Sequence, residues 1–180
     1  MFSKLLAFGL GALAVVRAAP AFSFQTQQLS CSVNLDVSVA PVHSFNALEP
    51  GQYRIWNEAF TSGPLYATHP NSPVLLSPGN PGPTTIWSIA PSGNPGSNEY
   101  TITNTASNVG TRVTSGLVFS TAGRGESFTI SPAGEGTFTI QVPNKDEVWT
   151  VRIPGNEMLP VFLLPEEGGI ESRWRFVRVD

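Results

Sequence analysis

"PVLLSPGNPGPTTIWSI", residues 73–89, and "PVFLLPEEGGIESRWRF", residues 160–176, repeat one pattern. Each opens on Pro-Val and an apolar run, turns at a proline, crosses a glycine-containing loop and closes on a tryptophan set among β-formers. The echo belongs to a longer series. Tyr53-Arg54-Ile55-Trp56-Asn57 matches Tyr100-Thr101-Ile102-Thr103-Asn104 and Phe138-Thr139-Ile140-Gln141-Val142. All three alternate with the period of two that a half-buried strand requires.

Three further sets follow in the same order. The second is 65–68, 112–115 and 148–151; the third is 74–77, 117–120 and 161–164; the fourth is 86–89, 127–130 and 173–176. Breakers such as Pro78-Gly79-Asn80-Pro81-Gly82-Pro83 and Pro132-Ala133-Gly134 separate them. No window after residue 18 shows helical periodicity. Twelve strands in three alike units of supersecondary size have few solutions. An open sheet would leave long edges, and a propeller needs at least four blades. A barrel closed on itself and capped by hairpins removes the edges and buries one core. The expectation is an all-β chain, a β-trefoil of twelve strands in three pseudo-repeats. Trp87, Phe128 and Trp174, which recur at one repeat position, should point inward with Tyr53, Tyr100 and Phe138.

The repeat occupies residues 49–180. Ahead of it, MFSKLLAFGLGALAVVRAAP pairs Lys4 with an apolar run and a small-residue exit at Val16-Arg17-Ala18, the pattern of a secretory signal peptide over residues 1–18. The run is shorter than the roughly 20 residues a membrane helix needs. Residues 19–48 form an N-terminal arm; Ser32 to Val42 alternates, so this stretch either adds an edge strand or stays a free arm after processing. A secreted protein with no membrane segment in its mature form is expected. Cys31 is the single cysteine, which rules out an internal disulfide and leaves a thiol that is either buried or open to intermolecular pairing.

The chain carries ten basic and thirteen acidic side chains. An acidic surface does not favour phosphate backbones, so nucleic acid is not an expected partner. The two histidines, His43 and His69, lie far apart. No nucleophile elbow, phosphate loop or cluster of metal-ligating residues is present. The composition therefore reads as a non-enzyme, without cofactor or metal, and as a monomer that carries its function on loops held by a rigid scaffold.

The frame of Pro50-Gly51-Gln52-Tyr53-Arg54-Ile55, Pro73-Val74-Leu75-Leu76, Trp87-Ser88-Ile89, Val161-Phe162-Leu163-Leu164-Pro165 and Trp174-Arg175-Phe176 resembles the fungal β-trefoil protease inhibitors. The likeness is to the mushroom serine protease inhibitors of the cospin type and, more distantly, to the cysteine protease inhibitors of the mycocypin type. It implies an exposed loop that occupies a protease cleft as a substrate does. In the first unit that loop contains His69, Pro70, Asn71 and Ser72. In the second unit the mycocypin likeness points to Asn108, although asparagine is also a common turn residue. No Lys or Arg occurs between Arg54 and Arg112, so the first unit lacks the basic side chain that trypsin's acidic pocket takes. The basic residues expected on loops are Arg124, between Gly123 and Gly125, and Lys145, in Pro143-Asn144-Lys145-Asp146. The alternative is a carbohydrate-binding module of the ricin-B type. Its Gln-x-Trp is missing three times over, at Thr85-Ile86-Trp87, Glu126-Ser127-Phe128 and Ser172-Arg173-Trp174.

Overall fold

The strands close on themselves. The computed structural model describes residues 47–79, 82–153 and 158–179. Residues 1–18, expected from the sequence to be a signal peptide, lie outside these residues, as do Cys31, His43 and the alternating stretch 32–42. Twelve strands are present among the described residues. Six form a ring: β1 (Gly51–Asn57), β4 (Trp87–Pro91), β5 (Glu99–Asn104), β8 (Ser127–Gly134), β9 (Thr137–Gln141) and β12 (Trp174–Arg178). Each pairs antiparallel with the next, and β12 pairs back to β1 with Ile55 opposite Phe176. The other six make three hairpins: β2 (Leu65–Tyr66) with β3 (Leu75–Leu76), β6 (Val109–Thr114) with β7 (Leu117–Gly125), and β10 (Val148–Val151) with β11 (Leu159–Leu164). The hairpins join one another through β3–β11, β7–β11 and a bridge from Pro73 to Phe119. A closed strand ring capped by linked hairpins is the β-trefoil, and it answers the edge problem by leaving few strands unpaired.

The core follows from the alternation. In β1 the buried positions are Tyr53, Ile55 and Asn57; in β5 they include Tyr100, Ile102 and Asn104. Ile55, Ile102 and Ile140 are wholly buried, as are Trp87, Phe128 and Trp174. Phe138 sits one step out: it is half-buried and meets Phe176 edge-on, centroids 5.4 Å apart. Leu48 is buried, and its carbonyl accepts the Tyr100 hydroxyl at 2.7 Å. Asn57 and Asn104 are polar yet buried, because each satisfies chain ends that strands leave open. Asn57 Nδ2 donates to the carbonyls of Glu171 and Arg173. Asn104 Nδ2 donates to Thr84, and its Oδ1 accepts from the Ser107 amide.

One expectation is corrected. Arg124 does not stand on a loose glycine loop. It lies within β7, which runs through Gly125 and pairs with β6 across a bulge. Gly123 and Gly125 adopt φ of 82° and 78°, which supply the bulge's left-handed positions rather than flexibility. An added Cβ on Gly110 would overlap the Arg124 backbone, so β6 can approach β7 here only through a glycine.

Candidate functional site

The loop between β2 and β3 is fastened to β7. Asn71 N–H donates to the Ser120 carbonyl and Ser120 N–H donates to the Ser72 carbonyl, both at 2.9 Å. The Ser120 hydroxyl is wholly buried beneath the loop. It lies 2.6 Å from the His69 carbonyl and 3.0 Å from the Ser72 carbonyl, and it accepts from the Ser72 amide at 3.2 Å. Ser72 Oγ donates to the same His69 carbonyl at 2.7 Å. Two hydroxyls therefore point that oxygen into the protein. Beyond the tip, Val74 N–H donates to Val118. Before it, Ala67 N–H donates to Thr84 at 3.3 Å.

Above these anchors Thr68, His69, Pro70 and Asn71 are exposed. Asn71 turns the chain at φ 62°, a left-handed value that asparagine tolerates. Arg112 from β6 steadies it, its Nη2 donating to Asn71 Oδ1 at 3.0 Å. Pro70 and Pro73 fix two further φ angles. The tip is thus held by backbone pairing, a buried hydroxyl and a cation, with its ordering cost met in folding rather than on binding a partner.

The other residues singled out from the sequence fall elsewhere. Asn108, at φ 51°, and Arg124 are brought together. They line one shallow groove of about 580 Å³ with Gln52, Ser88, Thr101 and Thr103. Arg124 Nη2 reaches the Pro91 carbonyl at 3.4 Å. Lys145 stands alone on the β9–β10 turn, its Nζ 3.7 Å from Glu147 Oε2 with both side chains exposed, a pairing worth little in water. A second hollow, of about 550 Å³, opens beside β10 and β11, with Arg152, Glu167 and Glu171 among its walls. No group of three metal-ligating side chains converges among the described residues, and no described helix is long and apolar enough to cross a membrane.

Sequence reasoning passed over Ser120 and Arg112, the two supports. Ser120 had a faint signal: it closes the alternation Leu117-Val118-Phe119-Ser120 on the buried phase, where a hydroxyl needs a partner. Nothing local says that the partner is 48 residues away.

No family model and no curated protein matches this chain. Solved structures do. A designed three-fold symmetric protein, ThreeFoil, superposes with a TM-score of 0.63 at 15% identity over 72% of this chain and 99% of that one. The Rhizoctonia solani agglutinin gives 0.62 at 19% identity over 73% and 97%. A proteinase inhibitor from Coprinopsis cinerea gives 0.57 at 13% identity over 73% and 99%. These likenesses define the class as a β-trefoil protein. At such identities the fold is all they establish.

Proposed function

We propose that this chain is a binding protein without catalytic activity, built of three pseudo-repeats, that inhibits an endopeptidase through the β2–β3 loop. The observation that carries this reading is the fastening of the loop from below by Ser120 while residues 68–71 remain exposed. A segment held this way enters a cleft with little further ordering, and its ends stay in place if the enzyme attacks. We also propose that residues 1–18 are removed on secretion and that the mature protein acts as a monomer away from membranes and nucleic acid.

A panel of serine and cysteine endopeptidases titrated with the purified protein tests the reading, and stoichiometric inhibition of at least one enzyme is expected. The competing reading is carbohydrate binding, for which the hollow beside β10 and β11 offers polar walls. Retention on a glycan array, together with no inhibition across the panel, would replace the first reading with the second.

A further inference from the structure

The loop has six peptide bonds between Ala67 and Pro73, and the geometry separates them. A bond attacked in a protease cleft needs a carbonyl oxygen free to enter the oxyanion hole, an exposed side chain on its acyl side, and an extended backbone there. Ala67–Thr68 fails because the Ala67 side chain is buried, 1% exposed. His69–Pro70 fails because two hydroxyls turn the His69 carbonyl inward. Pro70–Asn71 would place a rigid proline ring in the primary pocket, with the departing Asn71 N–H already bound to Ser120. Asn71–Ser72 fails on the left-handed φ of 62° at Asn71. Ser72–Pro73 fails because the Ser72 carbonyl accepts from the Ser120 amide. Thr68–His69 remains. Both residues are exposed, neither has positive φ, and the Thr68 carbonyl has no hydrogen-bond partner among the described residues.

We infer that Thr68–His69 is the bond presented to the target and that Thr68 fills its primary pocket, so that the target is a serine endopeptidase with a small, uncharged pocket of the elastase type. This rests on the inhibitor reading above and narrows it. A short β-branched side chain suits such a pocket and leaves the acidic pocket of trypsin unpaired.

The anchors fall on either side of this bond. When the enzyme's serine Oγ bonds to the Thr68 carbonyl carbon, the bond to His69 N breaks and the serine proton passes through the enzyme's histidine to that nitrogen. The acyl side stays tied at Ala67 N–H to Thr84, and the amine side stays tied at the His69 carbonyl to Ser72 and Ser120. The amine therefore remains beside the ester. It re-forms the peptide bond as the same steps run backward, faster than water can take its place.

The test pairs wild type with Thr68→Lys against pancreatic elastase, trypsin and representative cysteine endopeptidases, followed by mass mapping of any slow cleavage. Wild type is expected to inhibit elastase, with a new N-terminus at His69. Thr68→Lys should lose about 100-fold or more against elastase and gain trypsin inhibition. Thr68 is exposed, so the variant should fold with an unchanged near-ultraviolet spectrum; if it does not, the wild-type cleavage map decides. Inhibition with cleavage at another bond, inhibition of cysteine enzymes alone, or an elastase affinity indifferent to Thr68→Lys overturns this assignment and leaves the inhibitor reading standing. Silence of both proteins toward every enzyme removes both.

Discussion

The indole N–H of Trp174 donates to the backbone carbonyl of Trp149 at 2.9 Å, and the two rings meet edge-on with centroids 6.2 Å apart. Trp87 makes the counterpart bond to the Leu65 carbonyl, also at 2.9 Å. Each tryptophan thus ties a ring strand to a hairpin, β4 to β2 and β12 to β10. Phe128, on β8, has no N–H to donate. It packs edge-on to Trp149 at 5.0 Å instead.

The first prediction follows from that bond. Trp174→Ala should cost about 3–5 kcal/mol by emptying a wholly buried site. Trp174→Phe should cost less, on the order of 1–3 kcal/mol for the carbonyl left unpaired. Urea unfolding measures both. A Trp174→Ala protein that melts with wild type would refute the inward placement.

Ser120→Ala should leave the fold nearly intact and loosen the loop. The Ser72 amide loses its acceptor, while the His69 carbonyl keeps Ser72 Oγ. We expect faster hydrogen exchange at Ser72, a stability loss of about 1–2 kcal/mol and quicker cleavage of the loop by any protease that binds it. Exchange at Ser72 as slow as in wild type contradicts the support role.

Gly63→Ala should be among the most damaging small changes. Gly63 is buried, and an added Cβ would overlap the Ser77 carbonyl, a backbone atom held beside β3. A loss of about 1–3 kcal/mol or more is expected, read as a lowered midpoint in thermal unfolding. Gly116→Ala, with open space where a Cβ would stand but φ of 75°, should cost about 1–2 kcal/mol from the backbone alone.

Stability should fall on the alkaline side. Burial pushes the Tyr53 and Tyr100 hydroxyls above their ordinary 10.0; Arg178 offsets part of this at Tyr53, and Tyr53 adds to it at Tyr100. Both hydroxyls donate to backbone carbonyls, Glu49 and Leu48. A raised folded-state value favours the neutral form. Its contribution is therefore complete below pH 10 and is lost as pH climbs through the folded-state values, because the unfolded chain ionises first. Chemical unfolding between pH 8 and 12 should show this decline, and Tyr100→Phe should flatten it. An unchanged slope in that variant assigns the decline to other groups.

Alternation and the repeat were enough to mark Tyr53, Tyr100, Trp87, Phe128 and Trp174 as inward, because period two is a local property of a pleated chain; Phe138, marked with them, comes out only half-buried. The candidate site was legible only as the stretch His69 to Ser72. Its neighbours were not, because hydrogen bonding across 48 residues depends on how one hairpin docks on another. The glycines around Arg124 show the same limit. In sequence, Gly-Arg-Gly has the composition of a loop. In the fold it is the bulged end of a strand, since the close approach of β6 at Gly110 decides what conformation those glycines take. Local pattern determined which residues lie inside; tertiary pairing alone determined which exposed residues are held still, because rigidity at a surface comes from partners distant in the chain.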